Sequence, residues 1–183
     1  TTPNNLAFNA DGTKLYLVGT YDGDVDEWAL STPYDVSTGV YTDTLSVSAQ
    51  EGSPQGITFN PAGTTLYVVG TDDAAVDEWA LSTPYDVSTG VYTDTLSVAA
   101  QESFPNDLAF NADGTKLYLV GLNDGAVDEW ALSTPYDVST GVYTDTLSVL
   151  AQEYLPTGLA FNPAGTTLYV VGYNDNAVDE WTL

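Results

Sequence analysis

The sequence contains no cysteine, no histidine and no methionine, and its 183 residues include only two basic ones, Lys14 and Lys116. Each absence removes a class of chemistry. Without His or Cys there is no Ser-His-Asp triad, no thiol nucleophile, no imidazole base and no histidine-based zinc site. Without clustered Lys and Arg there is no footing for nucleic acid or an anionic membrane surface, and a formal net charge of -24 repels both. No apolar run approaches the roughly 20 residues that span a bilayer, so membrane insertion is not expected. No Asn-x-Ser/Thr sequon occurs. The sequence opens without an initiator Met or a signal segment, which reads as a mature secreted product or an excised piece of a longer chain. The expected location is therefore extracellular or at a cell surface. Lack of disulfides does not oppose this, because a repeat fold with a large core does not need them.

What remains is acidic, aromatic and hydroxyl chemistry on a chain that is 43% hydrophobic and 12% aromatic. That is enough to build a core, and the apolar residues are spread too evenly for an acidic disordered tail. Self-comparison then gives the organisation. Pro3, Pro54, Pro105 and Pro156 are evenly spaced at 51 residues, and Trp28, Trp79, Trp130 and Trp181 keep the same interval. The segment 25–47, VDEWALSTPYDVSTGVYTDTLSV, recurs letter for letter at 76–98 and 127–149. Units one and three read NADGTKLYLVG where units two and four read NPAGTTLYVVG, an ABAB array. One domain over 1–183 thus holds repeats 3–53, 54–104, 105–155 and an incomplete 156–183.

Each unit reads as four short strands with period-2 patterning, bounded by Gly, Pro, Asn and Asp. In the first unit these are NLAFN, KLYLVGT, VDEWAL and VYTDTLSV. Leu15 and Leu17 alternate with Tyr16 and Val18, and Trp28 and Leu30 stand against Val25 and Ala29. Pro61 and Pro163 suit the second position of a type I turn whose glycine takes positive φ. The longer connection 31–39 has room for one helical turn, with Ser or Thr before Pro as a cap. Four antiparallel strands repeated at about 50 residues, apolar on both faces, is the sequence form of β-propeller blades.

The pattern PxGLAFNPxGTxLYVVG followed by VxEWxLSTPYDVST resembles the repeats of YVTN- and NHL-type propellers of secreted, cell-surface and phage-associated proteins. The resemblance spans essentially the whole chain and implies fold rather than function. It also marks a departure: the position after Val in the third strand, often aromatic in such repeats, is Asp26, Asp77, Asp128 and Asp179 here. The expected class is all-β, a propeller of four units whose last lacks its outer strand. The chain reaches Trp181, Thr182 and Leu183 where that strand would begin, leaving an edge that templates pairing. Two outcomes stay open: a closed four-bladed monomer, or assembly with other copies as half of an eight-bladed ring or as a filament.

Three sets of candidate residues follow. Asp22, Asp24 and Asp26 have a D-x-D-x-D spacing, repeated more sparsely by Asp73 with Asp77, Asp124 with Asp128 and Asp175 with Asp179. Oxygen ligands in a turn suit Ca²⁺, the one cofactor considered; the alternative is a solvated hairpin tip. Tyr34, Tyr85 and Tyr136, beside Asp35, Asp86 and Asp137 in the long connection, offer rings to sugars in multivalent display, whereas the Trp series suits packing between blades. Paired carboxylates such as Asp26-Glu27 face opposite sides of a strand and cannot flank one glycosidic bond, so no enzyme is expected. The remaining acids, placed in turns and outward positions, read as a solubility coat that salt screens. The leading functional reading is a non-enzymatic structural or adhesive module that self-assembles, its partner being itself. The alternative is a carbohydrate-binding, lectin-like module, with or without Ca²⁺, whose partners are glycans.

Overall fold

A computed structural model describes residues 2–174 and 177–183. Blade 1 comprises β1 (Pro3–Phe8), β2 (Lys14–Gly19), β3 (Asp24–Leu30) and β4 (Gly39–Ser46), paired antiparallel in that order. Blade 2 repeats this as β5 (Pro54–Phe59), β6 (Thr65–Gly70), β7 (Ala75–Leu81) and β8 (Gly90–Ser97). Blade 3 consists of β9 (Pro105–Phe110), β10 (Lys116–Gly121), β11 (Ala126–Leu132) and β12 (Gly141–Ser148). Blade 4 has three strands, β13 (Pro156–Phe161), β14 (Thr167–Gly172) and β15 (Val178–Thr182). The first strands of successive blades contact one another, so the sheets fan out from a shared axis.

The tight turn between the first two strands forms as its residues dictate. Gly12, Gly63, Gly114 and Gly165 have φ between 67° and 71°, a region open to glycine at no steric cost. The Asn9 side chain accepts from the Lys14 N–H at 2.8 Å and closes the loop. The helical turn in the long connection is a 3-10 helix, Val36–Thr38, recurring at Val87–Thr89 and Val138–Thr140. Its cap is Asp35, whose carboxylate accepts from the Ser37 N–H, rather than the expected Ser or Thr before Pro33. A cap must sit immediately before the helix, and the turn begins three residues beyond the proline.

The core lies in the seams between blades. Alternate residues of each strand serve opposite seams: Leu66, Val68, Trp79 and Leu81 pack with Tyr16, Val18 and Val25 of blade 1. The intervening Tyr67 and Val69, with Val76, pack with Leu117, Leu119 and Trp130 of blade 3. A third cluster joins Val120, Val127 and Val149 to Leu159, Leu168 and Val170. Period-2 alternation with both phases apolar is what a sheet buried on both faces requires. The three clusters join blades 1 and 2, 2 and 3, and 3 and 4. Among the described residues no helix is long and apolar enough to cross a membrane.

Candidate functional site

The tyrosine connection has the same build in all three complete blades. Tyr34, Tyr85 and Tyr136 adopt φ of 60°, 59° and 63°, which a non-glycine residue holds only when its surroundings over-determine it. The Tyr85 N–H donates to the Gly63 carbonyl at 2.8 Å, and its hydroxyl donates to the Pro61 carbonyl at 3.0 Å. The ring tilts against Phe59, centroids 5.5 Å apart, and lies flush on Gly63, where a Cβ would stand 2.2 Å from it. Asp86 accepts from both the N–H and the hydroxyl of Ser88, at 3.2 and 2.6 Å. Tyr34 with Asp35 and Tyr136 with Asp137 repeat these bonds. The three Tyr-Asp pairs proposed for sugars thus already fix a loop with their phenolic and carboxylate oxygens.

That loop latches the preceding blade. The Tyr85 carbonyl accepts from the Tyr16 hydroxyl at 2.6 Å and from Lys14 Nζ at 2.8 Å. The Val87 N–H donates to Glu27 Oε2 at 3.2 Å, and Val87 is fully buried. At the next seam Tyr67 donates to the Tyr136 carbonyl, and the Val138 N–H donates to Glu78 Oε2. Glu27, adjacent to the Asp26 of the proposed cation turn, is therefore 2% exposed and ion-paired to Lys14 at 2.7 Å. A second tie is made by Glu51, Glu102 and Glu153, buried in the connections between blades. Glu102 accepts from the N–H of Phe104 at 2.6 Å and of Asn123 at 3.0 Å, joining the connection to the next hairpin turn. Burial pushes the Glu51 carboxyl up to about 7, opposed by the N–H groups of Ser53 and Asp72. Sequence reasoning did not single out these glutamates, although each ends an Ala-Gln-Glu triplet at the 51-residue interval.

The acidic turns are arranged differently from a cation cage. Burial raises the pKa of Asp26, and Asp22 and Asp24 add to the rise, yet no group of three acidic side chains is disposed to hold a metal among the described residues. Asp175 lies outside those residues. Asp73 turns to the Ala75 N–H at 3.1 Å. Asp77 and Asp128, where the repeat departs from an aromatic, are 1% and 2% exposed. Tyr143 of the outer strand donates to Asp128 at 3.3 Å, whereas Asp77 Oδ2 is buried without a hydrogen bond and burial moves that carboxyl up to about 6. Trp79 and Trp130 are each 2% exposed and meet Tyr92 and Tyr143 edge-on, so they pack rather than present a surface.

One residue breaks the ABAB symmetry at the axis. The third position of the first strand is Asn5, Gly56, Asp107 and Gly158 in the four blades. The Asn5 side chain donates across the axis to Asp107 Oδ1 at 2.8 Å, and the Leu159 N–H donates to Oδ2 at 3.0 Å. A Cβ on Gly56 would stand 2.9 Å from the Asp107 Cα, so glycine there admits the close approach. Burial moves the Asp107 carboxyl up to about 6.

The two ends of the fan carry the same residue types that the seams bury. On blade 1, Leu6 is 53% and Val36 63% exposed, whereas their counterparts Leu108 and Val87 are 3% and 0% exposed. On blade 4, Val171 and Val178 are 43% and 67% exposed, against 0% and 3% for Val120 and Val127. Trp181 packs partly buried in the third cluster, while Leu183 is exposed. β15 pairs with β14 on one side and with no strand on the other among the described residues.

The geometry matches known architecture. A Bacteroides fragilis protein described as a candidate 6-phosphogluconolactonase superposes over 98% of this chain and 50% of its own, with TM-score 0.71 and 15% identity. The β-propeller domain of Swd1 from Myceliophteria thermophila superposes over 99% of this chain and 54% of its own, with TM-score 0.64 and 13% identity. The fold is that of a β-propeller. Hydrazine synthase of Kuenenia stuttgartiensis also superposes, over 98% of this chain and 46% of its own, with TM-score 0.67 and 18% identity. The propeller formed by these four blades spans about half the length of the structures it matches. At these identities the likeness extends to fold alone. No family model matches the chain, and no curated protein does.

Proposed function

We propose that this chain is a non-enzymatic structural module that assembles with its own copies, blade 4 of one against blade 1 of the next. The observation that carries the reading is the reversal of exposure at the ends: Leu6 and Val36, and Val171 and Val178, are open where every internal counterpart is buried. Exposed apolar surface of this kind marks an interaction site, and the internal seams supply its complement residue for residue. The contact is heterologous, so copies form a ring if the rotation closes and a filament if it does not. Since four blades span about half of the matched structures, two copies making a closed ring is the favoured outcome. With 26 acids against 2 bases, association needs screening, which suits extracellular or cell-surface conditions.

The test uses two variants, Leu6→Asp and Val171→Asp, each of which spoils one end. Alone, neither is expected to associate in sedimentation velocity runs. Mixed, they are expected to pair through the one intact combination, blade 4 of the first with blade 1 of the second. Association of either variant alone, or none in the mixture and the parent chain, contradicts the reading. A lactone-hydrolysis assay and a glycan array are expected to be negative; sugar-competed binding lost on Tyr34→Ala would favour the lectin alternative.

A further inference from the structure

The seam between blades 3 and 4 differs from the other two. At the first seam the slot bounded by Tyr16, Glu27, Phe59 and Gly63 is filled by Tyr85 and Val87, which supply a carbonyl to Tyr16 and an N–H to Glu27. Tyr136 and Val138 fill the second slot in the same way. At the third, the equivalent walls Tyr118, Glu129, Phe161 and Gly165 line a cleft of ≈ 410 Å³, continued by a recess of ≈ 270 Å³ beside Asn162 and Pro163. Tyr118 and Phe161 meet in the same tilted arrangement as their counterparts, centroids 4.7 Å apart. Glu129 Oε2, whose counterparts accept a valine N–H, takes Lys116 at 2.9 Å. A Cβ built on Gly165 meets nothing within 4 Å, whereas on Gly12, Gly63 or Gly114 it would strike a tyrosine ring. Beside the cleft runs the outer edge of β15, in the position where β3, β7 and β11 pair with a fourth strand.

We propose that this cleft and the adjoining edge of β15 form a binding site for an extended peptide segment of the repeat's own type, as in residues 31–47. The segment's tyrosine would seat on Phe161 and Gly165 with its carbonyl facing the Tyr118 hydroxyl. The valine two residues on would enter the cleft with its N–H toward Glu129, and the following strand would add to β15. Strand addition provides main-chain hydrogen bonds, and the tyrosine and valine pockets provide selectivity. The occupant is defined by chemistry present in three copies within this chain, two of which the same side chains recognise at 2.5–3.2 Å. The cleft is lined by blades 3 and 4 within the fan, whereas the end face carries Val171 and Val178, and the peptide is tested on the monomer, so either proposal can fail without the other.

The experiment titrates a fluorescently labelled synthetic peptide with the sequence of residues 31–47 against the chain, dilute enough to be monomeric, and follows anisotropy. Saturable one-to-one binding is expected, with no binding of a scrambled peptide of the same composition. A peptide carrying alanine at the position of Tyr34 is expected to bind at least about tenfold more weakly. The protein variant Gly165→Asn is expected to weaken binding comparably while leaving its melting curve within about 2 °C of the parent, because Asn tolerates the positive φ there and its side chain projects into open space. No saturation, equal binding of the scrambled peptide, or undiminished binding by Gly165→Asn would each overturn the proposal.

Discussion

Replacing Tyr67 by Phe removes one hydroxyl and leaves the ring, so it isolates the latch between blades 2 and 3. Tyr67 is fully buried and donates to the Tyr136 carbonyl, which belongs to a residue held at φ 63°. Leaving a buried acceptor without its donor costs about 1–3 kcal/mol. For a chain of this size each kcal/mol lowers Tm by roughly 2–4 °C. The repeat supplies its own controls. At the first seam the Tyr85 carbonyl also receives Lys14 Nζ, so Tyr16→Phe should cost less; Thr65 stands at the lysine position in blade 2. At blade 4, Tyr169 faces no following blade, and Tyr169→Phe should lie within about 0.5 kcal/mol of the parent. The expected order of loss, by far-UV circular dichroism melts and urea titration of the monomer, is Tyr67, then Tyr16, then Tyr169. An equal loss at Tyr169, or none at Tyr67, would refute the latch.

Other predictions follow from the buried acids. Glu51, Asp77 and Asp107 are held up to about 7, 6 and 6, so the folded chain binds these protons more tightly than the unfolded one. The stability they lend is complete below the unfolded values of about 4 and is lost as pH rises through the folded ones. Tm should therefore fall between about pH 5 and pH 8, with Glu51→Gln flattening the fall; a rise across that window would contradict the assignment. Asp11 and Asp113, lowered by their bonds to Thr13 and Thr115, act in the opposite sense only at more acid pH. Glu102→Ala strands the N–H groups of Phe104 and Asn123 and should cost about 1–3 kcal/mol for each that finds no water, read by urea unfolding. Stability should rise with sodium chloride, since the chain holds 26 acids and 2 bases; a flat response would deny that self-repulsion matters.

Much of the architecture was legible because it rests on local rules. Alternation of Leu66 and Val68 with Tyr67 and Val69 announces a strand buried on both faces, and the Asn-Ala-Asp-Gly turn announces its hairpin. The latch was not legible, because it joins residues 60 and 69 apart in unlike positions of successive repeats. Self-comparison aligns each residue only with its own copy. Tyr34, Tyr85 and Tyr136 looked available in a polar loop, yet they hold positive φ with their rings against Gly12, Gly63 and Gly114, a pairing that no propensity scale encodes. The charge was read as a coat, although among the described residues six carboxylates, Glu27, Glu51, Asp77, Glu102, Asp128 and Glu153, are buried. They bind backbone N–H groups two residues on as well as N–H, Lys or Tyr groups of other strands and turns, Asp77 Oδ2 excepted. Asp107 did leave a trace: in the ten-residue segments 3–12 and 105–114 it is the single position where units one and three differ.

The account rests on the uncovered faces of blades 1 and 4 being halves of one interface. Sedimentation equilibrium of the parent chain at moderate salt, over a wide range of concentration, addresses this directly. A reversible transition from monomer to a discrete two-chain species, with no further growth, is the predicted result. A monomer at every concentration would contradict it.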